Sequence, residues 1–349
     1  MTNNMGILSF FSKNKSNVWI PCRVSHIENQ SHDFKVFSLV PTEANRTMGF
    51  IPGQYVTLEH LIKGEPVRRS YSICGEDQNG IQIGVKKLDN GIMSSFLHDE
   101  VEIGTELKVH IAEGNFTLGS ERTVCAFVAG SGITPLASMI QHHQSKVSFR
   151  VFFNVKRKED VLFRSLLNLT NATLYLSQER ADGYTSGRLT YEALVEEIKN
   201  DLALLQSDSF LLCGPLEFMD DIERCLRFFG VDEGKIKREF FIPPKRKEEE
   251  TLQKFSGPFE VSVTLDGQLM HFALEAGKKT LLEHFEGQKI DPPYSCRGGV
   301  CSSCKAKVTE GLVTMRQNYT LTDKEIAQGY ILTCQAEPAS DKIVISFDE

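Results

Sequence analysis

Tyr294-Ser-Cys296-Arg-Gly-Gly-Val-Cys301-Ser-Ser-Cys304, followed by Cys334 within Ile331-Leu-Thr-Cys-Gln, is the stretch from which the rest of the chain is read. Its spacing is C-x4-C-x2-C with a distant fourth cysteine, the plant-type [2Fe–2S] pattern. Two irons need four thiolates, and one short loop supplies three of them. Gly298 and Gly299 let backbone N–H groups approach the sulfurs, which stabilises the more negative reduced state. The rival is a structural zinc site, although zinc sites usually pair their cysteines as two close doublets. The other five cysteines, Cys22, Cys74, Cys125, Cys213 and Cys225, are scattered among apolar neighbours. Nine cysteines so arranged do not read as the disulfide framework of a small secreted domain.

Working outward, 349 residues suggest two to three domains at roughly 150 residues each. A content of 41% hydrophobic and 24% charged residues excludes a disordered or fibrous chain. The net charge of -7 argues against a broad nucleic-acid or anionic-membrane surface. No apolar run approaches the roughly 20 residues that span a bilayer. The first residues lack a basic n-region and a long enough apolar stretch for a signal peptide. The expectation is a flexible N-terminal tail over 1–17, in a cytoplasmic protein with no nucleic-acid or membrane partner.

The stretch 18–121 reads as short β-rich segments: Val18–Val24, Phe34–Val40, Gln54–Leu58, Ile81–Val85 and Leu107–Ile111. Turn residues separate them at Ile51-Pro-Gly, Cys74-Gly-Glu-Asp and Asp89-Asn-Gly, a spacing that suggests an antiparallel sandwich or barrel. The stretch 122–243 alternates strands and helices, which indicates a doubly wound α/β unit with a parallel sheet. Its expected helices include one near Val161–Leu169 and one from Pro215 to Phe229, stopped by Gly230. A charged, proline-bracketed segment, 244–258, reads as a linker. Residues 259–349 form a small α+β unit that carries the grouped cysteines.

Two further constellations carry chemistry. Arg69-Ser70-Tyr71-Ser72 lies at the end of an expected barrel strand, and Gly91-Ile-Met93-Ser94 opens a helical stretch. An arginine suits a phosphate oxygen pair, a tyrosine stacks on a flat ring, and a serine can hydrogen-bond a ring nitrogen. Backbone N–H groups at the helix start suit a pyrophosphate. By itself Arg-x-Tyr-Ser is most often an ordinary strand end; the pairing of the two segments makes it informative. In the α/β stretch, Gly130-Ser131-Gly132-Ile-Thr134-Pro135 follows an apolar strand and opens a helix, as a phosphate-cradling turn does. It departs from G-x-G-x-x-G at Pro135, which is acceptable in a first helical turn. Cys213-Gly214-Pro215 ends a later sheet strand, and ligands of open α/β sheets bind at such ends. After the second sheet strand, where an NAD site wants an acidic residue, the chain reads Lys156-Arg157-Lys158. Three cations suit the 2′-phosphate of NADPH; a solvated basic turn is an equally ordinary reading.

These features in this order resemble the ferredoxin–NADP reductase superfamily with a plant-type ferredoxin domain fused at the C-terminus. The resemblance runs from about residue 18 to the end. Within it, Gln317-Asn-Tyr-Thr-Leu, Gly329-Tyr-Ile-Leu-Thr-Cys-Gln-Ala and Met219-Asp-Asp are most similar to the reductase branch that serves phenylacetyl-CoA epoxidase-type diiron oxygenases. The resemblance implies a β-grasp ferredoxin domain, an FAD-binding barrel and an NAD(P)-binding α/β domain. It implies that Arg69, Ser70, Tyr71 and Ser72 hold the flavin, with Ser72 near N5, and that Gly91, Met93 and Ser94 bind its pyrophosphate. Gly130, Ser131, Gly132, Thr134, Lys156, Arg157, Cys213, Gly214 and Pro215 would bind the pyridine nucleotide, with Cys213 near the nicotinamide. Phe241 would cover the flavin ring, or stand as an aromatic in the last sheet strand, and Glu239 would transfer protons nearby. Cys296, Cys301, Cys304 and Cys334 would ligate the cluster.

The activity so implied is an electron path from NADPH, with NADH open, through FAD, with FMN open, and a [2Fe–2S] cluster. The acceptor would be an oxygenase component that takes single electrons in phenylacetate catabolism. Plant-type clusters sit near roughly -400 mV, so the donor must itself be strongly reducing. Two alternatives stand beside this: a reductase for a ring hydroxylase or desaturase, and a non-enzymatic [2Fe–2S] carrier or sensor. From Phe259 onward, 13 Asp+Glu face 9 Lys+Arg, an excess that would steer a basic partner.

Overall fold

Six strands build the first layer of the chain, which is described here from a computed structural model over residues 19–44, 46–78, 80–244 and 255–349. The expected tail and residues 245–254 of the expected linker lie outside the described residues. Contacts divide the chain into two compact units, Ile20–Arg246 and one that holds Lys247–Glu349.

In the first unit β1 (Trp19–Ser31), β2 (Phe34–Pro41), β3 (Tyr55–Ile62), β4 (Glu65–Asp77), β5 (Gly80–Lys86) and β6 (Glu106–His110) close an antiparallel barrel in the order β1-β2-β5-β4-β3-β6. Phe37, Leu39, Leu58, Ile73 and Ile83 fill its interior. One expected turn is corrected here: Cys74-Gly-Glu-Asp is not a break but the end of β4. Cys74 is buried, and a bulge between Ile73 and Gly75 lets the strand bend and keep its pairing with β5. A short helix, α1 (Ile92–Asp99), packs Met93, Phe96 and Leu97 inward and touches β3, β4 and β5.

The same unit continues in a six-stranded parallel sheet. Its strands are β7 (Thr123–Ala129), β8 (Ser148–Val155), β9 (Asn171–Leu176), β10 (Thr185–Ser186), β11 (Ser209–Cys213) and β12 (Ile236–Glu239), in the order β10-β9-β8-β7-β11-β12. β7 is apolar from Val124 to Ala129 and β11 from Phe210 to Cys213, because helices cover both faces of the sheet. Those helices are α2 (Ile133–His143), α3 (Arg164–Leu167), α4 (Tyr191–Asn200) and α5 (Leu216–Phe228). On α5, Met219, Ile222, Cys225 and Leu226 form the buried stripe, and Gly230 ends the helix at φ 82°. The helix expected over Val161–Leu169 is reduced to the single turn of α3. Phe163 adopts a left-handed conformation, donates its N–H to Gln30 of β1 and sets its ring edge-on to Phe34. That contact with the barrel overrides the local helical pattern. The last strand stops at Glu239, so Phe241 is not a sheet aromatic; it lies beyond β12 and is 44% exposed.

The second unit is a five-stranded mixed sheet, β14-β13-β19-β15-β17, with a two-stranded pair β16–β18. Its elements are β13 (Pro258–Leu265), β14 (Gln268–Glu275), α6 (Leu281–Gly287), β15 (Lys305–Glu310), β16 (Val313–Met315), α7 (Asp323–Ala327), β17 (Tyr330–Leu332), β18 (Ala336–Pro338) and β19 (Lys342–Ser346). Phe259, Val261, Leu281, Phe285, Ile343 and Ile345 form its core. The cysteine loop runs between α6 and β15, and Cys334 sits between β17 and β18.

Candidate functional site

The four cysteines come together as two couples. The Cys301 thiol donates to Cys296 and the Cys304 thiol donates to Cys334, so the two acceptors fall below the ordinary thiol range. Cys296 is lowered to about 6, with backbone N–H groups of Gly298, Val300 and Cys301 assisting. The donors Cys301 and Cys304 are pushed up by the same pairing and by burial. The Cys296 N–H lies 3.4 Å from the Cys301 sulfur, and the Gly298 N–H lies 3.4 Å from the Cys296 sulfur. Among the described residues no three His, Cys, Asp or Glu side chains close around one ion. Two thiol couples facing inward-turned N–H groups suit a dinuclear iron–sulfur cluster with two cysteines per iron. Left-handed residues at Arg297 and Ser302 let the chain wrap this tightly, and Arg297 is held by Glu286 and by the Tyr294 ring at 4.2 Å.

On the barrel, Arg69, Ser70, Tyr71 and Ser72 lie in the middle of β4, paired with Leu58, Thr57, Val56 and Tyr55 of β3. Strand alternation separates the two neighbouring arginines. Arg68 is buried, 2.7 Å from Glu59, which also holds Lys108 at 3.0 Å. Arg69 stays exposed, its guanidinium bonded, among the described residues, to the Arg68 carbonyl alone. Ser72 is buried, and burial raises the Tyr71 phenol. Gly91 caps α1 without a side-chain hydrogen bond, and no acidic residue occupies the first turn. A Cβ on Gly91 would strike the Ser94 hydroxyl, which accepts the Leu88 N–H at 3.2 Å.

At the sheet, Gly130–Gly132 forms a single 3-10 turn between β7 and α2, with Gly130 at φ 55°. The Thr134 hydroxyl donates to the Ser131 carbonyl at 2.9 Å. A Cβ on Gly132 would strike the carbonyl of Cys213, so the turn after β7 and the end of β11 are in direct contact. This is where the strand order reverses, the place where open α/β sheets bind ligands. Like α1, α2 starts with no side-chain cap and no first-turn acid, whereas α4, α6 and α7 are capped by Thr190, Thr280 and Thr322. The uncapped N–H groups at the start of α1 suit a pyrophosphate, whereas at the start of α2 the Ile133 N–H is already bonded to the Gly130 and Ser131 carbonyls and Pro135 has none.

Cys213 and Glu239 are register partners on β11 and β12. One oxygen of the Glu239 carboxyl is shut from water and lacks any partner among the described residues, and burial raises the group to about 8. Burial and that neighbouring carboxyl keep the Cys213 thiol protonated. Lys156, Arg157 and Lys158 are exposed at the end of β8. Arg157 pairs with Glu159 at 3.5 Å, and Lys158 donates its N–H to Glu179 at 2.9 Å, while Lys156 has no ion pair among the described residues. Sequence reading missed Glu179, because the fold alone brings the end of β9 beside the end of β8. It also missed Gln335, although it directly follows Cys334.

Comparison with known proteins agrees with this architecture. The Oxidoreductase FAD-binding domain family matches residues 21–118, the Oxidoreductase NAD-binding domain family residues 127–224, and the 2Fe-2S iron-sulfur cluster binding domain family residues 263–339. The chain is 31% identical to one of the subunits of the 1,2-phenylacetyl-CoA epoxidase of Escherichia coli, over 93% of this chain and 96% of that one. It is 30% identical to NADH oxidoreductase HCR of the same organism, over 92% and 96%. Phthalate dioxygenase reductase shares the fold with a TM-score of 0.58 at 20% identity, covering 94% of this chain and 98% of that one. The flavin and nucleotide domains set aside the reading as a non-enzymatic carrier. No helix among the described residues is long and apolar enough to cross a membrane. The chain belongs to the family of FAD- and NAD-binding, [2Fe–2S] oxidoreductases that act as reductase components of oxygenase systems.

Proposed function

We propose that this reductase draws on NADPH and serves a diiron oxygenase of the phenylacetyl-CoA epoxidase type. When bound, the nicotinamide supplies a hydride, the flavin divides its two electrons, and the cluster passes them on singly. The barrel positions the flavin: Arg69 meets a phosphate, Tyr71 lies along the ring, Ser70 and Ser72 hydrogen-bond it, and Gly91, Met93 and Ser94 offer N–H groups at the start of α1. The sheet positions the nucleotide: Gly130, Ser131, Gly132 and Thr134 cradle its phosphates, and Cys213, Gly214 and Pro215 border the nicotinamide. Lys156 and Arg157 face the ribose end. Glu239, neutral at pH 7, holds a proton beside Cys213, and Phe241 shields the ring from water. Cys296, Cys301, Cys304 and Cys334 would supply the four thiolates of the cluster. The functional boundaries follow as 18–121, 122–243 and 259–349.

The observation that carries this reading is the junction inside the first unit. A Cβ on Gly84 of β5 would strike Thr134, and Gln141 of α2 bonds the Glu76 backbone of β4. The strand with the flavin residues, its neighbour and the nucleotide turn thus share one interface, which supports direct transfer from nucleotide to flavin. The oxygenase assignment rests on the 31% identity to a component of an epoxidase. NADH is the second reading, favoured by Glu179 beside Lys158, since a carboxylate there binds a free ribose and repels a 2′-phosphate. An anaerobic absorbance titration with NADPH, repeated with NADH, decides. Bleaching of both flavin and cluster bands at lower NADPH than NADH is the expected result. A cluster spectrum with no response to either nucleotide overturns the proposal.

A further inference from the structure

One side chain spans both sulfur-bearing segments of the second unit. Gln335 is 5% exposed and follows Cys334 directly. Its Nε2 lies 2.8 Å from the Arg297 carbonyl, in the loop that carries Cys296 and Cys301, and 3.7 Å from the Cys334 sulfur. A carboxamide nitrogen has two hydrogens, and here each has an acceptor. The flipped amide would set an oxygen against a carbonyl and a sulfur, two acceptors with no proton between them, so the orientation is decided by the network. The main chain of Gln335 is held as well: its N–H reaches Leu332 O at 2.8 Å, and its carbonyl accepts from Arg316 at 2.9 Å. Gly299, at φ 76°, is the close approach that makes room; a Cβ there would press on the Gln335 side chain.

The neighbouring amide has a different job. Gln317 donates to the Gly298 carbonyl at 3.2 Å and is bonded by the Tyr319 hydroxyl, and none of its described bonds reaches a sulfur. The two glutamines thus form a natural comparison. Both fasten the loop, and only Gln335 also donates to a ligand sulfur.

We propose that Gln335 is a positioning residue that raises the reduction potential of the cluster by donating one N–H to the Cys334 sulfur while its other N–H ties that sulfur's strand to the Cys296 loop. This rests on the assignment of the four cysteines to the cluster. Reduction adds negative charge that spreads onto the sulfurs, and a donor aimed at one of them stabilises the reduced form more than the oxidised form.

The test is a potentiometric titration of the full-length, cofactor-loaded protein, followed by the electron paramagnetic resonance of the reduced cluster. Gln335→Met keeps the volume and removes the donor. At a fixed solution potential its ratio of reduced to oxidised cluster falls about fivefold, the scale of one hydrogen bond, while the flavin titrates as before. Gln317→Met leaves the ratio unchanged. Wild-type protein carrying ¹⁵N only in glutamine side chains provides a readout that needs no variant: pulsed resonance detects a nitrogen coupled to the cluster. Absence of that coupling, or equal shifts in the two methionine variants, overturns the proposal. A wild-type protein with no cluster resonance at all overturns the cysteine assignment, and the proposal with it.

Discussion

Glu239 shows how position sets the chemistry of a residue. A carboxyl normally titrates in the acid range, but burial at the edge of β12 raises this one to about 8. Between the ordinary carboxylate range and pH 8 the folded protein holds a proton that the unfolded chain has released. Stability present at low pH is therefore lost as pH rises through about 8. Glu239→Gln removes this loss, since the amide never ionises. In thermal unfolding of the flavin-loaded protein, the variant should gain on wild type from pH 5 to pH 9 by about 4 kcal/mol. A difference that does not vary with pH would mean that the carboxyl is solvated. The arginine doublet teaches the same lesson. Arg68 and Arg69 are chemically identical, and the strand turns one into an ion pair with Glu59 and leaves the other exposed.

Between elements, the contact that matters most is glycine against backbone. Gly132 lets the turn after β7 lie directly on the end of β11. Gly132→Ala forces those two turns apart while leaving the barrel and the second unit untouched. The expected result is a rise in KM for the nucleotide of about tenfold or more, with flavin and cluster absorbance retained. Unchanged KM would show that the nucleotide does not lie across this junction. The uncapped start of α1 fits a phosphate site on the barrel, since a side-chain cap would occupy N–H groups that a phosphate needs.

For the whole molecule, the division into two units predicts separable functions. Cys304→Ser should abolish the cluster bands and electron delivery to an oxygenase. Reduction of the flavin by the pyridine nucleotide should persist within about twofold, because the FAD- and NAD-binding domains both lie in the other unit. Loss of flavin reduction in that variant would mean that the units do not work independently. The acidic excess of the second unit bears on partner choice. Several of its carboxylates already pair internally, Glu286 with Arg297, Glu325 with Lys305 and Glu310 with Lys342. Those without such pairs still favour a basic partner. Electron delivery should slow several-fold as salt rises from about 50 to 300 mM, since screening shortens the reach of surface charge. A rate independent of salt would rule out electrostatic steering.

Much of this was legible in the residues themselves. The cysteine spacing, the glycine turn after an apolar strand and the alternation of strands and helices depend on local sequence, and local sequence determines which backbone conformations are cheap. They yielded the three-part architecture and the cofactor classes. Other features depend on which distant segments meet, and only the tertiary structure decided those. Cys74-Gly-Glu-Asp has the composition of a turn, yet pairing with β5 holds it in a strand. Val161–Leu169 has a helical pattern, yet the barrel draws Phe163 out of it. Glu179 comes beside Lys158, Gly132 rests on Cys213, and Gln335 reaches both the Arg297 carbonyl and the Cys334 sulfur. The physical reason is common to all: burial and hydrogen bonding between segments far apart in the chain outweigh local preferences that are individually weak.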